Sequence, residues 1–175
     1  MKFLLALVVF VAGVWAQDTY HCPDGWMLEE DRTGCRCFML SGGESVTKDD
    51  ADILCAFHEG WVAELDHPGI NYWLKSQLLD TTEPGEFNQF WLGATTEGHH
   101  DPNHDQGVWN WPHRATQVDW FDWAYGQPND YKNENCLALM EFHDPFFPNQ
   151  RDYFWNDYHC DHGAHYICEK TCSTY

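Results

Sequence analysis

The alternation of apolar and polar residues changes character about half way along the chain. Thr47-Lys-Asp-Asp50 reads as a capping-box helix start, and Ala51, Leu54, Cys55 and Phe57-His58 follow at near-helical spacing until Gly60 stops the run. Trp61 to Leu65 has the apolar content of a strand. Asp66 and Pro68 can then open a second helix carrying Ile70, Trp73, Leu74, Leu78 and Leu79, which Glu83-Pro84-Gly85 ends. From Phe90 onward, short aromatic-rich strands such as Phe90–Gly93 and Cys136–Met140 alternate with long polar loops. Two helices early and sheet late predict an α+β class.

The amino terminus follows a different pattern. Lys2, the apolar run Phe3 to Val14, and small residues at Val14 and Ala16 form a secretory signal peptide over residues 1–16, with the mature chain starting at Gln17. The run is shorter than the roughly 20 residues that span a bilayer, so an uncleaved anchor is the lesser reading and no membrane insertion is expected. A soluble, secreted, extracellular protein follows. Residues 17–175 suffice for one domain, which at this size buries roughly two thirds of its unfolded surface.

Charge narrows the partners. With 9 Lys+Arg against 28 Asp+Glu the formal net charge is −19, and no basic run exists to release counterions from nucleic acid or to meet an anionic membrane. Eight cysteines, at 22, 35, 37, 55, 136, 160, 168 and 172, form an even set suited to four disulfides in an oxidising compartment. Zinc is the competing use of thiols, but Cys35-x-Cys37 is tighter than the usual ligand spacing. The chain has no Asn-x-Ser/Thr acceptor for N-glycosylation.

The segment His99 to Asn135 is so rich in Pro, Gly, Asn and Asp that no regular structure is expected there, yet it contains Trp109, Trp111, Trp120, Phe121 and Trp123. Long loops in small domains are usually functional. Its aromatics are expected to form the loop's private core rather than to touch ligand.

Between Gly126 and Cys160 stand five oxygen-bearing side chains: Gln127 and Asn129 around Pro128, Glu134 two residues before Cys136, and Asn156-Asp157 after Trp155. Such a set suits Ca2+, which takes six to eight oxygens and tolerates irregular loop geometry. Pro128 is expected to follow a cis peptide bond that holds the flanking amides in a fixed relation. The histidines offer less. Pro102 excludes a helix that would align His99, His100 and His104, and His159, His162 and His165 recur at a period that alternates faces on a strand, so neither group predicts a transition-metal site. His159 carries one further expectation, that its protonation weakens calcium binding at mildly acidic pH. No nucleophile elbow, zinc-protease helix or phosphate loop is present, and acid pairs such as Glu141 and Asp144 carry no signal in so acidic a chain; an enzyme, of which a two-acid glycosidase would be the form, is not expected.

Trp91-Leu-Gly-Ala94, Gln127-Pro-Asn129, Glu134-Asn-Cys136, Trp155-Asn-Asp157 and Cys168 occur in the order of a C-type lectin domain, which the chain resembles from the Cys22–Trp26 region to Glu169. The beginning looks like the amino-terminal hairpin of the long form. The resemblance implies calcium ligation by Gln127, Asn129, Glu134, Asn156 and Asp157, which would also hydrogen-bond sugar hydroxyls, and disulfides Cys55–Cys168 and Cys136–Cys160. Within the family Glu-Pro-Asn accompanies mannose-type and Gln-Pro-Asp galactose-type sugars; the hybrid Gln127-Pro128-Asn129 leaves two carboxylates among five ligands and implies weaker calcium affinity. Tyr131 resembles the aromatic residue that galactose binders set against the sugar, and Tyr158 could flank it. The reading leans to galactose-type glycans on cell or microbial surfaces, in a soluble innate-immune protein that would need to homo-oligomerise in order to agglutinate. The alternative is a binder of protein, ice or calcium mineral on the same fold. For the remaining cysteines, Cys22–Cys35 with Cys37–Cys172 is the leading pairing and Cys22–Cys37 with Cys35–Cys172 the other.

Overall fold

The two helices begin where polar side chains can satisfy their first amides. Helix α1 spans Lys48–Phe57; the Asp50 N–H donates to Thr47 Oγ1 (3.2 Å), and that hydroxyl donates to Asp50 Oδ2 (2.7 Å). It stops three residues before Gly60, whose N–H returns to the Cys55 carbonyl. A side chain at 60 would collide with the carbonyl of Glu169, so the helix exit passes too close to a strand for anything but glycine. Helix α2 spans Pro68–Thr81, with Pro68 in its first turn and His67, not Asp66, as the cap: the Ile70 N–H donates to His67 Nδ1 (3.3 Å). Thr82 turns extended and closes the helix, its hydroxyl donating to the Leu78 carbonyl (2.6 Å).

The computed structural model of the protein describes residues 20–31, 34–83, 89–97, 107–143 and 151–174. The signal-peptide segment 1–16, the Pro84-Gly85 stop, His99, His100, His104 and Asp144 lie outside them. The strands are β1 Tyr20–His21, β2 Met27–Asp31, β3 Gly34–Leu40, β4 Trp61–Val62, β5 Gln89–Thr96, β6 Trp109–Trp111, β7 Thr116–Gln117, β8 Cys136–His143, β9 Arg151–Tyr158, β10 His165–Thr171 and β11 Ser173–Thr174. The main sheet runs β2-β3-β10-β5-β6-β7, with β4 on β10, and β8 joining β5 to β9; β1 and β11 pair by themselves. Strand β10 is central, antiparallel to β3 and β4 and parallel to β5. Beyond β4 the buried stretch Ala63–Leu65 leaves the ladder, making single bonds to Ile167 of β10 and Gly93 of β5.

Four disulfides staple this sheet. Cys55–Cys168 joins α1 to β10 and Cys136–Cys160 joins the start of β8 to the chain beyond β9. The other two are Cys22–Cys37 and Cys35–Cys172, the reverse of the leading expectation. Strand register is the reason. β10 sets Lys170 opposite Cys37 and Thr171 opposite Arg36, so the next step brings Cys172 level with Cys35, at a Cα separation of 5.8 Å that a disulfide spans. Cys37, two residues along on the same face of β3, is left for Cys22 (Cα separation 5.6 Å).

The segment expected to lack regular structure forms the β6–β7 hairpin, and its aromatics join the main core rather than a private one. Trp109 and Trp111 are fully buried with Phe90, Leu92, Leu137, Leu139 and Trp155, and Trp120, Phe121 and Trp123 pack on the same cluster. The hairpin tip is pinned from below. Buried Glu64 accepts the backbone N–H groups of His113 (2.6 Å) and Arg114 (3.0 Å), while Glu169 accepts the Glu64 N–H (2.9 Å) and pairs with the Arg114 guanidinium. Burial raises both glutamates above the ordinary carboxylate range, against the pull of Arg114. Gly93 in Trp91-Leu-Gly-Ala94 makes room for this anchor, since a Cβ there would stand 2.7 Å from Glu64 Cγ.

Trp155 is held on three sides. Its indole N–H donates to Asn71 Oδ1 (3.0 Å), its backbone N–H to the Asp122 carbonyl (2.8 Å), and its carbonyl accepts from Ala124 (2.8 Å). Asn71 and the buried Lys75 of α2 both donate to Asp122 Oδ2, at 2.8 and 3.0 Å. Two predictions follow from this packing. Trypsin cuts at Arg36, between Cys35 and Cys37, so a non-reducing digest should link the Cys35 peptide to the Cys172 peptide and the Cys37 peptide to the Cys22 peptide by mass; the opposite linkage refutes the register argument. Asn71→Ala strands the Trp155 indole N–H and removes a donor from Asp122, and should lower unfolding free energy by about 2–3 kcal/mol in urea with the m-value unchanged.

Candidate functional site

The end of β9 and the start of β8 lie side by side, Asn156 opposite Ala138, Asp157 opposite Leu137 and Tyr158 opposite Cys136, which brings Glu134 beside Asp157. Segment 124–135 is laid over this edge. Ala124 pairs with Trp155, and the Gln127 N–H closes a turn on the Ala124 carbonyl (3.0 Å); the Gln127-Pro128 peptide is cis, as expected. Asp157 is completely buried, and its Oδ2 accepts the N–H groups of both Asn129 (2.9 Å) and Asp130 (2.6 Å). Asp130, Lys132 and Asn133 all have positive φ, which coils the chain back on itself. The coil is held by the Glu134 N–H donating to Asp130 Oδ1 (3.2 Å) and the Tyr131 N–H shared between Asn129 Oδ1 (2.9 Å) and Glu134 Oε2 (3.2 Å). The Asn129 amide in turn donates to Gln127 Oε1.

Gln127, Asn129, Glu134 and Asp157 thus form one hydrogen-bonded group, and Asn156 is buried one residue before Asp157. The group is short of positive charge. Burial first, then the nearby carboxylates of Asp157 and Asp130, pushes the Glu134 carboxyl up to about 7 despite the Tyr131 N–H and the nearby His162. A cation held between Glu134 and Asp157 would relieve that repulsion, and two carboxylates with three carboxamides are donors of the hard-oxygen kind. Among the described residues no three His, Cys, Asp or Glu side chains gather to hold a metal ion, so the carboxamides would have to supply most of the donors. His159 and His162 have ring centroids 4.8 Å apart, while His165 packs against Phe90, so the three histidines do not converge.

The aromatic expectations divide. Tyr131 is 61% exposed, with the Lys132 ammonium 4.8 Å over one face of its ring. Tyr158 is half-buried between Trp91 (5.5 Å) and His162 (5.2 Å). Asp130 Oδ1 accepts the Glu134 N–H; sequence reasoning gave Asp130 no part in the five-residue set. It missed Tyr125, which is wholly exposed at the tip of the turn before Gln127.

The raised Glu134 carboxyl has a definite consequence for the ion-free protein. A folded-state value near 7 against an unfolded value near 4.5 means that folding takes up a proton, so this group's contribution to stability is greatest at low pH and is lost as pH rises toward 7. In chelator, Glu134→Gln should therefore gain in melting temperature over the parent between about pH 5 and 7 and keep the gain at pH 8. A difference that is constant from pH 5 to 8 contradicts the assignment.

Known proteins agree with this architecture. Residues 44–170 match the Lectin C-type domain family. The chain is 27% identical over 150 residues to perlucin of Haliotis laevigata, covering 85% of this chain and 83% of perlucin. The mouse scavenger receptor C-type lectin carbohydrate-recognition domain superposes with a TM-score of 0.61 at 25% identity, over 86% of this chain and 96% of that one. A calcium-independent type II antifreeze protein has a TM-score of 0.62 at 22% identity, over 89% and 98% of the two chains, a likeness of fold alone. The matching family is one of binding domains and not of enzymes. With the family match spanning most of the sequence and the fold shared throughout, this chain belongs to the C-type lectin domain family.

Proposed function

We propose that the protein is a secreted, calcium-dependent carbohydrate-binding lectin, leaning to galactose-type sugars. The observation that carries this reading is the acidic oxygen cluster at the β8–β9 edge, where two carboxylates and two carboxamides are knitted together and burial, with Asp157 close by, holds Glu134 at about 7. Gln127, Asn129, Glu134, Asn156 and Asp157 would hold Ca2+, and the bound ion would offer open positions to two vicinal sugar hydroxyls. Around it the same side chains orient those hydroxyls. Carboxamides can donate as well as accept, whereas the ionised carboxylates only accept, so each hydroxyl can give one hydrogen bond and receive another. Tyr131 presents an exposed ring next to this cluster, which supports the galactose lean.

Secretion is part of the proposal: residues 1–16 have the pattern of a signal peptide and all eight cysteines are paired, as an oxidising compartment allows. Residues 17–175 would be the mature domain. Among the described residues no helix is long and apolar enough to cross a membrane. A soluble protein of the innate-immune kind, recognising microbial glycans, fits these features, and agglutination would require the protein to present more than one site per particle.

The direct test is retention on immobilised galactose and mannose, in calcium and then in chelator. Calcium-dependent retention of the parent, lost in a Glu134→Ala, Asp157→Ala double variant that still folds, is the expected outcome. Absence of retention on either sugar sinks the lectin reading and turns attention to protein, ice or mineral surfaces. Ligand charge gives a second prediction. Asn129→Asp adds a third carboxylate and should tighten calcium binding by roughly tenfold in calorimetry, because site affinity follows the number of charged ligands.

A further inference from the structure

Three tyrosines stand within a few residues of the oxygen cluster along the chain, and they differ in what already covers them. Tyr158 has Trp91 and His162 against it, and Tyr131 carries Lys132 over one face. Tyr125 is 100% exposed, so both faces of its ring are open. It is not on a loose loop. Trp123 bridges to Trp155, the Ala124 N–H donates to the Trp155 carbonyl (2.8 Å), and the Gln127 N–H closes the turn on Ala124 (3.0 Å). Tyr125 and Gly126 are the two central residues of that turn, and a Cβ built on Gly126, at φ +83°, would meet nothing within 4 Å. The ring therefore projects from a fixed backbone into open space, two residues from Gln127.

We propose that Tyr125 forms a second sugar subsite, which stacks against the residue next to the one held at the oxygen cluster, so that the ligand is a neutral oligosaccharide rather than a single hexose. This rests on the lectin reading above. The apolar C–H face of a pyranose suits the negative face of an aromatic ring, and because the turn is already ordered, stacking loses little more than the freedom of one side chain. The neutrality comes from the surroundings. The chain as a whole carries a net charge of −19, and Lys132 is the one Lys or Arg between Asp119 and Glu134, a setting that repels an acidic sugar.

The test is calorimetry in calcium with methyl β-galactoside against lactose and methyl α-mannoside against α1,2-mannobiose, on the parent, Tyr125→Ala, Tyr125→Phe and Tyr131→Ala. In the series that binds, the disaccharide should bind the parent about five- to tenfold more tightly than the methyl glycoside. Tyr125→Ala should erase that gain while the methyl glycoside stays within about twofold, and Tyr125→Phe should keep it. Tyr131→Ala should weaken both ligands of the pair alike. A parent that does not distinguish the two ligands overturns the subsite, as does a Tyr125→Ala variant that weakens both equally. If none of the four sugars binds in calcium, the lectin reading fails and the subsite fails with it.

Discussion

The site depends on how Trp155 is held. Its side chain is completely buried among Trp111, Trp120, Phe121 and Trp123, and its three polar groups are satisfied from two parts of the chain: Asn71 on α2, and Asp122 and Ala124 on the long loop. A buried indole N–H without an acceptor would cost about 1–3 kcal/mol, so the ring cannot rotate or withdraw cheaply. Asn156 and Asp157 are the next two residues, and Ala124 starts the turn that leads to Gln127. One aromatic residue thereby sets both halves of the oxygen cluster at once, which is why the Trp155-Asn156-Asp157 run works as a unit.

A second buried device holds the hairpin that closes the core over Trp109 and Trp111. Glu64 and Glu169 are buried where their charge is disfavoured, and Arg36 and Arg114 compensate these two acids and Asp66. Buried ion pairs often add little net stability, because desolvation offsets much of the attraction. Their contribution here is positional. The carboxylate of Glu64 satisfies two backbone amides of the β6–β7 tip that would otherwise be orphaned, and so selects one docking of the hairpin.

Burial raises the glutamates of both acidic clusters, which differ in their partners. Around Glu64 every negative charge has an arginine or a backbone amide against it, and nothing further is needed. Around Glu134 burial, Asp157 and Asp130 raise the carboxyl, and only the Tyr131 N–H and the nearby His162 ring pull it down. The same residue type thus meets different surroundings in the two places, and the difference lies in the partners, not in the acids themselves.

Much of this was written in local sequence. Thr47 and Pro68 mark the helix starts because capping needs only residues within one turn, and Gly60 marks an exit for the same reason. The oxygen cluster was also legible, since its members come in two short runs around Pro128 and after Trp155, and the order of those runs is what the family resemblance rests on. What the sequence could not decide was anything set by register or by shared burial. Cys35 and Cys37 are equivalent in spacing; the pairing of β3 with β10, some 130 residues apart in the chain, assigns Cys35 to Cys172. Composition spoke against regular structure between His99 and Asn135, yet the tryptophans of its described part found their partners on β5, β8 and β9 and carried a hairpin with them. Tyr125 and Tyr131 are alike in the sequence, and only the folded turn leaves one open on both faces while Lys132 covers the other. Local patterns encode contacts within a few residues, whereas solvent exposure, charge compensation and cross-strand partners exist only once distant segments have met.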